Sequence, residues 1–284
     1  MSFSRVVSLT IFAMIAFAGN SILCRLALQD TTIDAASFTT IRLISGGLIL
    51  WLIVRMQHQQ PSGSGNWLSA CVLFVYAAGF SFAYISLPAG TGALLLFGAV
   101  QATMIIFGIW SGERLSGLQH FGLLLALAGL VGLLLPGLSA PPLAGSLLML
   151  SAGVAWGVYS LRGKGVGDPV RVTAGNFLRA IPVTAVLSIL MIDNFSLDHA
   201  GAVYAILSGA VTSGVGYSIW YTALPGLKAT QAASVQLSVP VIAAIGGILF
   251  LDEHLTLRLV LASVAILGGI VLVIREKRIK QQII

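Results

Sequence analysis

The chain has 284 residues, of which 57% are hydrophobic and 8% are charged. An ordinary soluble domain carries about 25% charged residues, so this composition excludes a soluble globular protein and predicts a chain that lies almost wholly in a membrane. The formal net charge is +6, and its basic residues stand in short loops and at the C-terminus.

Ten apolar runs follow one another in chain order, and each is close to the roughly 20 helical residues that cross a bilayer core. They occupy 6–28, 34–55, 66–87, 90–110, 117–136, 142–163, 170–192, 199–224, 229–250 and 256–274. Short polar segments separate the runs and leave no room for a soluble domain. We predict an all-α integral membrane protein with ten transmembrane helices.

Basic residues are distributed unevenly between the two sides that ten spans define. If both termini lie on one side, the loops and tails of that side hold Arg5, Arg55, Arg114, Arg162, Lys164, Arg171, Lys228, Arg275, Lys277, Arg278 and Lys280. The opposite side holds Arg25 and Arg258 together with most of the acidic residues. Because basic loops are retained in the cytoplasm, we predict that both termini are cytoplasmic. The basic C-terminal tail is then an orientation anchor near anionic lipid, and no nucleic-acid partner is needed to explain it.

An internal repeat relates the two halves of the chain. The segment Tyr84–Pro88 reads YISLP, and Tyr221–Pro225 reads YTALP, 137 residues later. The flanking residues repeat as well, so that five spans match five spans and the chain is a duplicated unit. We predict one membrane domain made of a first repeat, 1–140, and a second repeat, 141–284.

The odd number of spans in each repeat determines their relative orientation. The second copy of a five-span unit must insert upside down, so the halves are related by a pseudo-twofold axis in the membrane plane. Such inverted repeats are typical of secondary transporters, which bind substrate near the midplane between the halves. The pattern favours a transporter over a receptor, a channel or a membrane enzyme.

Three features together carry a resemblance to a known family: ten spans arranged as five plus five, the ends of the fourth and ninth spans, and glycine-rich fifth and tenth spans. The fourth span ends in GERLS at Gly112–Ser116, and the ninth ends in DEHLT at Asp252–Thr256. This set resembles the EamA-type branch of the drug/metabolite transporter superfamily, with the aromatic amino acid exporters as the most similar subset. The Trp-Gly pair expected in the first span reads Ala18-Gly19 here, whereas Trp156-Gly157 keeps it in the sixth.

The resemblance implies a multi-pass transporter that moves amino acids or similar small metabolites outward across the inner membrane of a bacterium by alternating access. Two other functions of the same fold stay open from the sequence. One is translocation of a lipid or lipid carrier, and the other is transport of drugs or nucleotide-sugar-type metabolites.

Polar and aromatic side chains inside the spans are the candidates for a substrate site, because an amide or hydroxyl without a partner among acyl chains is costly. Tyr76 and Phe80 stand four residues apart on one helix face, and Tyr217 corresponds to Phe80 in the second repeat. We predict substrate contacts from Asn20, Tyr76, Phe80, Gln101, Trp156, Tyr159, Tyr217, Gln236 and Ser238. Hydrogen bonds between helices are the alternative role for the same residues.

A second group of residues has a predicted gating or structural role. Arg42 lies eight residues inside the second span, about 12 Å deep at 1.5 Å per residue, and Arg179 holds the corresponding position of the second repeat. A charge at that depth is unfavourable and marks a functional candidate, although a long side chain can also snorkel to the interface. The prolines remove backbone hydrogen bonds inside their spans. The group comprises Arg42, Arg179, Tyr84, Tyr221, Pro182 and Pro240.

No acidic residue stands in the middle of a span, since Glu113 and Glu253 lie near span ends. A proton-coupled pump for cations needs an intramembrane carboxylate, so we predict transport without obligatory ion coupling. The sequence contains no Walker-type loop, acidic metal cluster or credible Ser–His pair, so no enzyme activity, metal or cofactor is predicted. The predicted partners are a small-molecule substrate and the lipid bilayer, and a monomer is compatible with this interpretation.

Small residues recur in the fifth and tenth spans at helical spacing. Such faces allow close helix contact within a membrane, so we predict that these two spans pack tightly and act as a scaffold while the other helices move. The residues are Gly122, Ala126, Gly129 and Gly132 in the fifth span, with Ala262, Ala265, Gly268 and Gly269 in the tenth.

Overall fold

The computed structural model describes residues 2–56, 64–112, 114–137, 139–163, 167–227, 232 and 235–282, with side chains as far as residue 274. Within these ranges the chain forms helices and turns and no strand. The helices are α1 (Phe3–Asp30), α2 (Ala35–Met56), α3 (Trp67–Tyr84), α4 (Ala89–Trp110), α5 (Gly117–Leu134), α6 (Leu143–Arg162), α7 (Pro169–Leu190), α8 (His199–Gly226), α9 (Ser238–Leu251) and α10 (Leu257–Gln282). Nine described helices are long and apolar enough to cross a membrane, and α9, with 14 residues, is shorter.

Side-chain caps in the short polar segments fix where several helices begin. Asp34 Oδ1 accepts hydrogen bonds from the backbone N–H groups of Ala36 and Ser37 at 2.9 Å, at the start of α2. Ser116 and Gln119 form a capping box at the start of α5. These bonds satisfy N–H groups that the first helical turn leaves free.

The ninth span differs from the predicted continuous helix over 229–250. The helix α9 begins at Ser238, directly after a turn at Leu237. Pro240 explains the break, because it has no N–H to donate to the carbonyl of Gln236 and its ring crowds that carbonyl. Pro240 therefore lies in the first turn of α9. Backbone N–H groups there have no acceptor within the helix, so the missing N–H of proline removes no helical hydrogen bond. Most of the preceding part of this span lies outside the described residues.

The helix α8 contains a π-helical segment, Leu207–Val215, between two α-helical parts. The corresponding residues of the first repeat, 70–78, are α-helical, so the segment breaks the symmetry of the repeats. Its small residues allow α8 to lie close to α2. A Cβ at Gly209 would collide with Ser45 Oγ and with the carbonyl oxygen of Arg42. Long π segments are rare and occur often at functional sites.

The packing of the helices follows a twofold pseudo-symmetry. Three contacts join corresponding helices of the two halves: α2 with α7, α4 with α9, and α5 with α10. The other main contacts come in matched pairs, because α3 packs on α6 and α7, and α8 packs on α1 and α2. Likewise α4 packs on α6, and α9 packs on α1. The fold is therefore two five-helix units in an inverted arrangement, with α1, α3, α6 and α8 around the centre.

The helices α5 and α10 pack closely at their glycines, which confirms the close packing that the sequence predicts for these two helices. A Cβ at Gly122 would lie 2.6 Å from the carbonyl oxygen of Gly269, and a Cβ at Gly129 would also crowd α10. The prediction is wrong for Gly132 and Gly268. A Cβ at either of these would meet open space, because both glycines face away from the partner helix.

Candidate substrate site

A small closed cavity lies at the centre of the bundle, where helices of both halves meet. It is lined by Phe17, Asn20, Tyr76, Phe80, Leu96, Phe97, Trp156, Thr212 and Tyr217. Its volume is about 20 Å³, enough for about one water molecule. The described conformation is therefore closed around its centre, and a substrate can enter only if the surrounding helices separate.

Trp156 is the centre of an aromatic cluster on the wall of this cavity. Its ring stacks on Tyr217 at a centroid distance of 5.1 Å and on Tyr159 at 5.4 Å, and it meets Tyr76 at 4.8 Å. Aromatic pairs at these distances attract each other through their faces and edges. The cluster joins α3, α6 and α8 and presents large apolar faces with hydroxyl groups to the cavity.

The π-helical segment of α8 supplies the polar part of the wall. Asn20 Oδ1 accepts hydrogen bonds from Ser208 Oγ at 2.6 Å and from Thr212 Oγ1 at 3.2 Å. All three side chains are at least nine-tenths buried. Since these bonds tie α1 to α8, any separation of the two helices must break them.

Arg42 is almost completely buried behind the same wall, with 1% of its surface exposed. Its Nη2 donates to the Tyr76 hydroxyl at 3.0 Å, and its Nε donates to Ser213 Oγ at 3.4 Å. The guanidinium carbon lies 5.3 Å from the centroid of the Tyr76 ring and 4.7 Å from that of Phe80. These are cation–π distances, which favour a buried cation.

A larger cavity of about 210 Å³ lies on the side of the membrane where α1 begins, here termed the near side. Its wall includes Asn66, Tyr159, Arg162, Asn176 and Tyr221, contributed by α6, α7, α8 and the segment before α3. The stack of Trp156 on Tyr159 lies between this near-side cavity and the central cavity.

Polar side chains cross-link the wall of the near-side cavity. Asn176 Nδ2 donates to the Tyr159 hydroxyl at 3.1 Å, and Asn176 Oδ1 accepts from the backbone N–H of Asn66 at 2.9 Å. Arg162 is exposed and donates to Ser69 Oγ at 3.0 Å and to Asn66 Oδ1 at 3.3 Å. Both hydrogen bonds of Arg162 to described residues go to neutral oxygen atoms at the mouth of the cavity.

On the opposite, far side, a charged cluster that the sequence does not predict lies beside another cavity of about 230 Å³, which Glu253 lines. Arg25 Nε lies 3.5 Å from Glu253 Oε1, and Arg25 Nη1 donates to the carbonyls of Tyr84 and Ile85 at 2.9 and 3.0 Å. Glu253 also accepts a hydrogen bond from the Ala89 N–H at 2.9 Å. Burial raises the pKa of Glu253 above its ordinary value, although the Ala89 N–H and Arg25 act to lower it. The cluster joins α1, the α3–α4 turn and the segment between α9 and α10.

Five of the nine predicted substrate contacts, Asn20, Tyr76, Phe80, Trp156 and Tyr217, line the central cavity. Tyr159 lines the near-side cavity instead. Three others lie outside the central cavity wall: Gln101 is buried in α4, and Gln236 and Ser238 are half-buried around the start of α9 and donate to carbonyls of Ala232 and Val235.

The predicted gating or structural residues are spread over several places. Tyr84 is fully buried and donates to the carbonyl of Ala89 at 3.2 Å, and Tyr221 borders the near-side cavity. Arg179 is half-buried and donates to backbone carbonyls of Ser64 and Gly175. The remaining members are Arg42, behind the central wall, Pro182, exposed within α7, and Pro240, at the start of α9.

Several side chains of the cavities were not among the predicted residues. Phe17 stands three residues before Asn20 and therefore shares its helix face, which could have indicated Phe17. Ser208 and Thr212 are four residues apart, and this spacing could have indicated a polar face on α8. Arg25 and Arg162 stand 137 residues apart, which is the offset of the internal repeat. The partner of Arg25, Glu253, lies 228 residues away in the chain, a distance at which no local pattern indicates contact.

These features define a membrane transporter for small molecules: an all-helical bundle of two inverted halves with a closed polar and aromatic cavity between them. The EamA-like transporter family model matches the chain twice, at residues 4–135 and 143–275. The chain belongs to this family.

The chain is also similar to several individual proteins. An uncharacterized protein of Pseudomonas aeruginosa is 57% identical over 274 residues, which is 96% of each chain. The threonine/homoserine exporter RhtA of Salmonella typhimurium is 34% identical over 149 residues, or 49% of each chain. A probable amino-acid metabolite efflux pump of Escherichia coli is 28% identical over 230 residues, covering 74% of this chain and 77% of the pump.

Proposed function

We propose that this protein exports amino acids or similar small metabolites across the bacterial inner membrane by alternating access, without an obligatory ion partner. The observation that carries the proposal is the central cavity, because both halves contribute to it. Phe17, Asn20, Tyr76 and Phe80 come from the first half, and Trp156, Thr212 and Tyr217 come from the second. A site shared by two inverted halves can be opened to either side when the halves move against each other.

The chemistry of the cavity wall suits a small zwitterion with an apolar side chain. Hydroxyl and amide groups of Asn20, Tyr76 and Tyr217 offer hydrogen bonds, and the rings of Phe17 and Trp156 offer apolar contact. Two similar proteins are named for the export of threonine and homoserine and of amino-acid metabolites. We propose amino acids as the first substrate class, with aromatic amino acids included because of the aromatic lining.

The different environments of Arg25 and Arg162 support alternating access. These arginines hold corresponding positions in the repeat, yet Arg25 is half-buried against Glu253 and Arg162 is exposed at the near-side cavity. We propose that the near side is cytoplasmic, as the basic loops indicate. The described conformation then has the Arg25–Glu253 ion pair on its outer side and a cytoplasmic cavity that stops at the Trp156–Tyr159 stack.

Transport without ion coupling is proposed from the absence of acidic residues inside the spans. The stretches 35–112 and 199–251, which contain α2, α3, α4, α8 and α9, have no Asp or Glu. A coupling proton or sodium ion needs such a group near the substrate. An exporter that relieves an internal surplus runs down the gradient of its substrate and needs no second gradient.

Flux in proteoliposomes tests this function. Vesicles with the purified protein are loaded with radiolabelled threonine, homoserine, phenylalanine or tryptophan, and with a nucleoside or a cationic dye as comparison solutes. We expect downhill efflux and exchange of at least one amino acid at a rate that does not change when a pH or sodium gradient is collapsed. Uphill accumulation driven by either gradient contradicts uncoupled transport. Scrambling of a labelled lipid without amino-acid flux contradicts the amino-acid assignment and favours lipid translocation.

A further inference from the structure

One guanidinium nitrogen of Arg42 is buried without a hydrogen-bond partner among the described residues, which is energetically unfavourable. The Nε and Nη2 atoms of Arg42 donate to Ser213 and Tyr76, but Nη1 is buried and forms no hydrogen bond with any described residue. Buried polar groups are almost always paired, because an unpaired buried donor forfeits its bonds to water and gains none. The free Nη1 therefore calls for a further acceptor.

The charge of Arg42 is also uncompensated. Its hydrogen bonds go to neutral hydroxyl groups, and its other close contacts are the rings of Tyr76 and Phe80. The sequence offers no acidic residue between 35 and 112 or between 199 and 251, the stretches that surround it. A guanidinium forms its strongest hydrogen bonds with a carboxylate, which can take two parallel bonds from the planar group.

The guanidinium and the central cavity share a wall. Tyr76 and Phe80, the two rings over which Arg42 lies, both line the cavity. A substrate in the opened cavity is thus separated from the guanidinium by one layer of side chains. A shift of the Tyr76 ring, which Arg42 holds by a single hydrogen bond at 3.0 Å, brings the two into contact.

Arg179 shows that the position in the repeat does not by itself produce this arrangement. It corresponds to Arg42, but it is half-buried on the near side and its Nη1 donates to the backbone carbonyls of Ser64 and Gly175. Nη1 of Arg179 therefore has acceptors from the protein, whereas the buried Nη1 of Arg42 has none among the described residues.

We propose that Arg42 anchors the carboxylate of the transported substrate, which makes carboxylate-bearing compounds the substrate class of the central site. This inference rests on the proposed function and names the group that the site recognises. The substrate supplies the acceptor and the negative charge that the interior lacks. Its apolar part then lies against the aromatic wall formed by Phe17, Phe97 and Trp156.

Two probes of nearly equal shape isolate the carboxylate. The purified protein in detergent is mixed with 3-phenylpropionate or with 3-phenylpropionamide, and binding is measured by calorimetry and by the rise in melting temperature. Because a charge-assisted hydrogen bond is about twice as strong as a neutral one, we expect the wild type to bind the acid at least about tenfold more tightly than the amide.

Three variants test whether Arg42 causes the preference for the acid over the amide. Arg42→Gln removes the charge and is expected to bind acid and amide equally. Arg42→Lys keeps the charge without the planar fork and is expected to keep part of the preference. Arg179→Gln is the matched control, since it removes the corresponding arginine of the other repeat, and its ratio of acid to amide affinity is expected to equal that of the wild type.

The comparison of acid and amide in the wild type tests the proposal even if a variant does not fold. Equal affinity of the wild type for acid and amide overturns the proposal without any variant, and so does an unchanged preference in Arg42→Gln or an equal loss in Arg179→Gln. Binding in detergent is independent of flux in vesicles. A carboxylate preference without amino-acid flux contradicts the proposed function alone, and amino-acid flux without a carboxylate preference contradicts this inference alone.

Discussion

Arg25 of α1 and Arg162 of α6 hold corresponding positions of the two repeats but have opposite surroundings. Arg25 is half-buried, pairs with Glu253 and donates to two backbone carbonyls of the α3–α4 turn. Arg162 is exposed beside a cavity of about 210 Å³ and donates to Ser69 and Asn66. One sequence element, used twice, thus forms an ion pair on one side and borders a cavity with neutral partners on the other. This difference gives a direct test of which contacts hold the far side shut.

Arg25→Gln is expected to open the far side. The substitution removes the ion pair with Glu253 and the bonds to Tyr84 and Ile85, and hydrogen bonds of charged groups contribute roughly 1.5–3 kcal/mol each. The neighbouring thiol of Cys24 is fully buried and reports on the opening. In a background with the exposed Cys71 replaced by Ser, we expect labelling of Cys24 by a water-soluble maleimide to become about tenfold faster.

Arg162→Gln is the matched control for this experiment, because it removes the corresponding arginine on the near side, beside the cavity of about 210 Å³. Labelling of Cys24 is expected to stay at the wild-type rate in this variant. Slow labelling in a folded Arg25→Gln protein, or fast labelling in both variants, shows that Arg25 does not hold the far side closed.

Gly122→Ala is expected to destabilise the pair of helices α5 and α10. The added Cβ would lie 2.6 Å from the carbonyl oxygen of Gly269, and such overpacking costs about 1–3 kcal/mol. Gly132→Ala is the control, because its Cβ meets open space and alanine favours a helix over glycine by about 1 kcal/mol. We expect the melting temperature in detergent to fall for Gly122→Ala and to stay or rise for Gly132→Ala. A fall of equal size in both variants contradicts the close contact.

The sequence predicts the repeat, the helical class and much of the central cavity, because these depend on periodicity and on the cost of polar groups in lipid. Asn20, Tyr76 and Tyr217 could be selected for that reason, and all three line the cavity. The failure at Gly132 has a simple cause. A small residue permits close packing, but whether a helix lies there depends on the rotation of α5 about its axis.

Other features depend on contacts between distant parts of the chain and could not be predicted from local patterns. The π-helical segment of α8 is one, since Leu207–Val215 has ordinary helical spacing in the sequence. The pairing of Arg25 with Glu253 is another. The break before α9 was partly predictable, because a proline inside a span interrupts a helix. The place where α9 begins depends on the carbonyl of Gln236, to which Pro240 cannot donate a hydrogen bond.

Asp34 is expected to make stability depend on pH in the acid range. Burial acts to raise its pKa, but hydrogen bonds from Ser37, Ser196 and Ala36 outweigh burial and lower the pKa below its ordinary value of 3.8. A carboxylate with a lowered pKa stabilises the folded state fully above its ordinary pKa, and this contribution is lost as pH falls through the folded pKa. The melting temperature should therefore begin to fall as pH drops toward 3.8 and should continue to fall below it.

The variant Asp34→Asn separates this contribution from those of other acids. Its asparagine keeps an oxygen for the bonds from Ala36 and Ser37 and loses the bond from Ser196. The asparagine does not titrate, so the melting temperature of the variant should start lower but fall less steeply as pH decreases. Asp193→Asn, at an exposed position, is the control and should follow the wild type. An identical pH dependence in Asp34→Asn and the wild type refutes the assignment.

Trp156→Ala is expected to weaken substrate binding, because the indole ring organises the wall of the central cavity. The substitution removes the contacts with Tyr76, Tyr159 and Tyr217, each worth about 0.5–1.5 kcal/mol beyond its buried area. Measured with the best amino acid of the flux panel, KM should rise about tenfold or more. Trp156→Phe keeps one ring and should lie between the variant and the wild type. Trp110→Ala is the control, since Trp110 is 87% exposed and its loss should leave KM unchanged. A folded Trp156→Ala protein with the KM of the wild type would show that substrate does not contact this wall.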